Sequence, residues 1–166
     1  NGLKGPASSR NLGLSIAKGE IILFLDDDDA WHPDLLLNLD KSNYLGRNMP
    51  IYFNCSIIKE SRAAKDVTFH SETKLDISGR LTPHVYVKNS VHMSCFAFPA
   101  TLLKNIDFDS NLRAYEDWDF LLGVFSKKFP YHEPFLGSKV YEVDDETTDR
   151  RGSSTSANDF NAVLDY

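Results

Sequence analysis

A continuous apolar run, Ile21-Ile22-Leu23-Phe24-Leu25, breaks directly into Asp26-Asp27-Asp28-Asp29, and this junction constrains the chain more than any other stretch. Five apolar residues without alternation predict a strand covered on both faces, as in the middle of a sheet flanked by helices. In open α/β sheets the carboxyl end of such a strand is where ligands bind. Two carboxylates at about 5 Å repel by on the order of 1–3 kcal/mol. A divalent cation shared with a bound phosphate group would remove much of that repulsion. The run predicts a metal-dependent site acting on a phosphorylated compound; on this run alone, a solvated acidic turn stays open.

Side chains alternate along an extended chain, so Asp26 and Asp28 are expected to point to one side and share one ion. Mg²⁺ and Mn²⁺ take oxygen donors, and Mg²⁺ typically uses one or two carboxylates together with waters and substrate phosphates. Asp27 then faces away from the ion and is assigned to the substrate. Asp29 is placed to support the site or to cap the helix that Pro33 is expected to open.

The rest of the chain alternates helix and strand signals. Pro6 fits a first helical turn, with Leu12 and Ile16 as an i,i+4 apolar pair before Gly19. Leu35, Leu36, Leu39 and Leu45 are the expected core residues of the helix after Pro33. Residues 51–58 read as a strand, 61–79 as a polar hairpin or excursion, and 81–87 as a short helix interrupted by Pro83. Residues 95–98 read as a short buried strand. Trp118, Leu121, Leu122, Phe125 and Phe129 recur at helical spacing over 116–129. Residues 140–143 close the pattern as a strand. Such alternation defines an α/β domain.

Composition narrows the ligand. A chain of 166 residues suits one domain, and 42% hydrophobic with 12% aromatic residues gives it a globular core. A formal net charge of −6 argues against nucleic-acid binding by phosphate neutralisation, without excluding a nucleotide held locally by a few cations. No apolar run reaches the length of a membrane span. Cys55 and Cys95 have no C-x-x-C spacing and read as buried thiols of a reducing compartment, since a disulfide would require a proximity the sequence does not supply. The opening Asn1-Gly2-Leu3-Lys4-Gly5-Pro6 reads like an internal loop, and the chain is expected to be a piece of something longer. Residues 144–166, rich in Asp, Thr, Ser and Arg, are expected to form a mobile polar tail after a domain at 1–143.

Two further constellations carry chemistry. In Tyr115-Glu116-Asp117-Trp118-Asp119 the carboxylates suit a helix start, where they complement the dipole. One of them, partly desolvated by Trp118 and Tyr115, could equally take a proton from a hydroxyl as general base. In Gly5-Pro6-Ala7-Ser8-Ser9-Arg10-Asn11 a glycine entry leaves free backbone amides and Arg10 adds a cation, a seat for phosphate or nucleoside oxygens or else a solvated turn.

Taken together, G-P-x-x-x-R-N-x-G, then A-K-G-E-I-I-L-F-L-D-x-D-D-x-W-x-P, then Y-E-D-W-D-F-L-L resembles the family 2 glycosyltransferases of GT-A fold, over about residues 2–141. The resemblance implies a Rossmann-like mixed sheet flanked by helices, and Asp26 and Asp28 as the D-x-D motif that binds Mn²⁺ or Mg²⁺ and the donor diphosphate. It implies Asp117 as catalytic base and Glu116 as an acceptor-binding or supporting residue. Gly5, Arg10 and Asn11 match the segment lining the donor nucleotide site, and His92 the segment that approaches the acceptor. The implied reaction is inverting transfer of one sugar from a nucleotide-diphosphate sugar, a UDP-sugar first, to a hydroxyl of a glycan or lipid-linked acceptor. Surface glycan or polysaccharide synthesis in the cytoplasm, or at the inner face of the membrane, would suit it.

The departures from the family pattern are specific. A β-α-β unit with nucleoside-binding aspartates usually precedes the Asn-Gly segment, so the domain is expected to be truncated at its amino terminus. Asp144 stands near the place of a metal-site histidine, and the Q-x-x-R-W motif of processive members is missing, which favours single addition. A metal-dependent phosphohydrolase and a non-catalytic sugar- or nucleotide-binding fragment are the alternatives; a calcium module is disfavoured because no twelve-residue loop with a closing Glu follows Asp26. His32 reads as a surface or packing residue, or else as part of the site's outer shell; Trp31 and Trp118 read as core anchors rather than sugar platforms, and His70, His84 and His132 lack a pattern. Arg150-Arg151 reads as a solvated basic pair, or as a tail closing on the diphosphate.

Overall fold

The computed structural model describes residues 5–63, 66–112 and 114–143. The expected tail at 144–166, with Asp144, Arg150 and Arg151, lies outside the described residues, as do residues 1–4. Gly5 turns the chain into α1 (Pro6–Ile16) at a φ of 92°, which glycine adopts without steric cost. The Leu12–Ile16 pair faces solvent, 49% and 67% exposed, contrary to a core-facing role. Buried Ala7 and half-buried Leu14 attach α1 to the core instead.

The run 21–25 also departs from expectation. Only β1 (Ile21–Ile22) is paired, antiparallel to β5 (Phe96–Pro99). Among the described residues β1 has a neighbour on one side alone, which makes it a sheet edge. Phe24 is therefore the one buried residue of the run, and Leu25 is exposed. Residues 26–29 close as a turn, with the Asp29 N–H donating to the Asp26 carbonyl at 3.2 Å. The strict alternation expected for the carboxylates gives way there to turn geometry.

After β2 (Ala30–Trp31), α2 (Leu35–Lys41) begins on Asp34, not Pro33. Leu35 and Leu39 are buried as expected, but Leu36 is 68% exposed. Asn43, in a left-handed conformation, separates α2 from α3 (Tyr44–Arg47), so Leu45 belongs to another helix and its side chain lies outside the described residues. β3 (Ile51–Ala63) and β4 (Asp66–Leu75) form the antiparallel hairpin expected from the polar stretch. Pro83 opens a 3-10 turn (Pro83–Tyr86) instead of interrupting a helix over 81–87, and a second 3-10 turn (Met93–Cys95) leads into β5. α4 (Glu116–Lys127) matches the expected helix closely.

β6 (Tyr131–Val143) is far longer than the expected 140–143 and runs parallel to β3, from Ile51 opposite Tyr131 to Glu60 opposite Val143. Pro134 and Gly137 mask this strand in the sequence. The register jumps from Phe53–Glu133 to Asn54–Leu136, a bulge that takes Pro134 out of the ladder. A Cβ on Gly137 would lie 2.1 Å from the Phe53 ring, so the close approach of the two strands admits only glycine.

Among the described residues the sheet order is β1-β5-β3-β6-β2 with β4 also on β3, a mixed sheet carrying one parallel pair. Its two faces bury separate clusters. Tyr52, Phe96 and Phe98 pack with α1 and α4 residues on one side, while Ile51, Phe53 and Ala97 pack with Leu35, Leu39 and Tyr44 on the other. Strand alternation produces this division. Cys55 and Cys95 are both buried and free. The neighbouring Cys55 and burial together push the Cys95 thiol above the usual thiol range.

Candidate functional site

An aromatic cluster sets the frame of the site. Phe108 and Phe120 stack at 4.0 Å between centroids, and Phe24 meets both edge-on at 5.2 and 5.5 Å. Phe24 lies two residues before the acidic turn, and Phe120 lies in the first turns of α4. The ring packing thus fixes the acidic turn against the start of α4. Asn11 adds α1 to the frame: its amide accepts from the Phe108 N–H and donates to the Phe108 carbonyl, each at 2.8 Å.

Arg10 stands on this frame, its guanidinium 5.4 Å from the Phe108 ring centroid. One Nη donates to Asp26 Oδ1 at 2.6 Å and the other to Glu116 Oε1 at 2.8 Å. The side chains of Arg10 and Glu116 are only 16% and 12% exposed, that of Asp26 40%. Burial lowers the Arg10 pKa, but the hydrogen bonds and charges of Asp26 and Glu116 outweigh it and leave it raised. Three segments that the sequence singled out separately therefore meet at one cation.

Asp117 is half-buried in the first turn of α4, where its Oδ1 accepts from the Trp118 N–H at 2.7 Å. Trp118 reaches across with its indole N–H to the Val85 carbonyl at 2.7 Å, tying α4 to the 3-10 turn at Pro83–Tyr86. This anchoring agrees with the packing role read for it. Trp31, by contrast, is 39% exposed. It lines a groove of about 550 Å³ with Arg10, Leu14, Ile22 and Phe24, beside β1. Arg10 joins that groove to the carboxylates, none of which lines it.

Asp29 is drawn inward. Its carboxylate accepts from Ser94 Oγ at 3.0 Å and from the Tyr141 N–H at 3.2 Å, so it ties the acidic turn to β6 and to the 3-10 turn before β5 rather than capping α2. Ser94 was not foreseen, since nothing local in the sequence signals a partner 65 residues away. Asp26 and Asp28 are half-buried and Asp27 is exposed. His92 is exposed at the start of the Met93–Cys95 turn, two residues from Ser94. His32 bonds locally, Nδ1 accepting from the Asp34 N–H at 3.4 Å.

Burial raises the Asp29 pKa; Tyr141 and Ser94 oppose this, and the charges of Asp28 and Asp26 push it up again, with a net rise. A carboxyl with a folded pKa above its unfolded one binds more protons when folded. Its contribution to stability is full below the ordinary carboxylate range and is lost as pH rises through the raised value. Asp29→Asn keeps an acceptor for Tyr141 and removes the charge. It is expected to melt above the parent at pH 7, with the difference vanishing at low pH; equal melting at pH 7 would refute this account.

Among the described residues no group of three or more His, Cys, Asp or Glu side chains is placed to hold a metal by itself. Asp26 and Asp28 offer two hard carboxylates, which is the protein share typical of Mg²⁺ sites completed by substrate phosphates and water. The donor set fits Mg²⁺ or Mn²⁺ arriving with a phosphorylated ligand. No helix among the described residues is long and apolar enough to cross a membrane.

The sequence profile described as "Glycosyl transferase family 2" matches residues 1–96, and the chain belongs to that family. The succinoglycan biosynthesis protein ExoW of Rhizobium meliloti is 32% identical over 130 residues, which cover 68% of this chain and 40% of that protein. A GalNAc(5)-diNAcBac-PP-undecaprenol beta-1,3-glucosyltransferase of Campylobacter jejuni is 26% identical over 98% of this chain and 50% of its own length. The S. aureus TarS structure in complex with UDP-GlcNAc superimposes with a TM-score of 0.62 at 20% identity, over 96% of this chain and 45% of that one. That likeness establishes the GT-A type of fold. The chain thus spans half or less of the length of these relatives.

Proposed function

We propose that the protein carrying this chain transfers a single sugar from a nucleotide-diphosphate sugar to a hydroxyl of a glycan or lipid-linked acceptor, with inversion, in polysaccharide or surface glycan synthesis. The observation that carries this reading is the meeting of Asp26 and Glu116 on Arg10, which sets the acidic turn beside the carboxylates that open α4. Family membership supports sugar transfer, the relatives' names support glycan synthesis, and the UDP-GlcNAc complex of TarS favours a UDP-sugar as donor.

Asp26 and Asp28 would hold Mg²⁺ or Mn²⁺, which when bound neutralises the departing diphosphate. Asp117 takes the proton of the acceptor hydroxyl while the acceptor oxygen bonds to the anomeric carbon from the face opposite the diphosphate. The carbon–oxygen bond to the diphosphate breaks in the same displacement, and the configuration inverts. Glu116, fixed by Arg10, orients the acceptor beside the base. Gly5 leaves the first amides of α1 available to an anion, and Asn11 braces α1 against Phe108. Exposed Asp27 and His92 line the substrate side.

Asp28→Ala tests the metal arm. A calorimetric titration of UDP with Mn²⁺ into the variant should show affinity lower by at least about 10–100-fold, the loss caused even by removing an outer partner of a metal ligand. Undiminished affinity would remove Asp28 from the site.

A further inference from the structure

Arg10 already sets a protein cation on one oxygen of Asp26, beside the place where a divalent ion would meet that carboxylate. It is bonded to Asp26 Oδ1 at 2.6 Å, held from the other side by Glu116 at 2.8 Å, and laid over Phe108. We infer that Arg10 makes metal capture at Asp26 and Asp28 conditional on a nucleoside diphosphate, so that the site rejects free divalent cations and admits the metal–diphosphate complex. The inference rests on the proposed function and gives Arg10 a positioning and selectivity role, distinct from contact with the nucleotide.

The reasoning is electrostatic. A bare divalent ion approaching Asp26 meets a fixed positive charge one carboxylate away, and part of the negative charge that would attract it is already neutralised. Such an ion gives up its water reluctantly, and here the return is reduced. An ion carried by a diphosphate brings its own negative charge, which the same guanidinium attracts. A bidentate, permanently charged fork suits this task, because it bridges Asp26 and Glu116 while remaining a cation at every working pH. The two carboxylates are thereby kept apart from stray metal and at fixed separation until the donor arrives.

The test titrates MnCl₂ alone, and MnCl₂ with UDP, into the parent, Arg10→Gln and Arg10→Lys proteins, with melting temperatures recorded alongside. Gln keeps hydrogen-bond donors for the carboxylates and removes the charge; Lys keeps the charge. Arg10→Gln should bind Mn²⁺ alone roughly tenfold more tightly than the parent, as expected for deleting one nearby unit charge. Its affinity for Mn²⁺ with UDP should change by less than about threefold, because the repulsion lifted from the ion offsets the attraction lost to the diphosphate, and Arg10→Lys should resemble the parent with Mn²⁺ alone. A merely structural Arg10 would lower the melting temperatures without any gain in metal affinity, and that result overturns the inference. So does a parent that binds Mn²⁺ as tightly without UDP as with it, whatever the variants do. A parent that binds no Mn²⁺ even with UDP overturns the proposed function, and this inference with it.

Discussion

Asp117→Asn is expected to reduce sugar transfer by about 10²–10⁴-fold, the usual worth of a general base, while leaving binding of UDP with Mn²⁺ within about twofold of the parent. The substitution changes little else. Asp117 Oδ1 accepts from the Trp118 N–H, and an Asn carbonyl can accept the same bond, so the first turn of α4 keeps its geometry. The second carboxylate oxygen makes no other hydrogen bond among the described residues, and in Asn an amide that cannot accept a proton replaces it. Product formation from a nucleotide-sugar donor, set against calorimetric UDP affinity, separates the two effects. Turnover equal to the parent would remove Asp117 from the proposed mechanism.

Phe120→Ala is expected to cost about 3–5 kcal/mol of stability, the range for truncating a large buried aromatic. Phe120 is 1% exposed and touches three other rings: stacked on Phe108, edge-on to Phe24, and edge-on to Phe98 at 5.9 Å. Domains of this size are stable by roughly 5–15 kcal/mol, so the variant would approach the edge of folding, and its melting temperature should fall by about 6–20 °C. A lower denaturation midpoint with an unchanged slope would confirm lost packing. A loss below about 1 kcal/mol would show that the cluster is not the frame described. Because Phe108 also carries Arg10 and bonds Asn11, the folded fraction should bind UDP with Mn²⁺ more weakly as well.

Much of the site could be read locally. The acidic run, the Glu116-Asp117 pair and the Gly5–Arg10 segment each carry residue types whose chemistry is legible without a fold. The helix at 116–127 was legible because apolar residues recur at its period on one face. Elements that depend on distant partners were not. The first nine residues of β6 escaped notice because Pro134 and Gly137 argue against a strand, and only the bulge opposite Asn54 and the ring of Phe53 explain their presence. The run at 21–25 suggested a central strand, but a strand's coverage is set by its neighbours, and β1 has one among the described residues. The exposure of Leu12, Ile16 and Leu36 was hidden for the same reason.

What the chain determined by itself is the inventory: which residues can carry charge, take a proton or hold a cation, and in what order they come. Local spacing also determined the starts of α1 and α4 and the mixed α/β character, since backbone preferences act over a few residues. The tertiary structure alone decided who meets whom. It spent Arg10 on Asp26 and Glu116, turned Asp29 inward to Ser94 and Tyr141, and brought Cys55 against Cys95. Those pairings follow from the stacking of Phe24, Phe108 and Phe120 and from the register of β3 with β6. Such contacts join segments dozens of residues apart, and no local preference encodes them; the burial of the whole core selects them together.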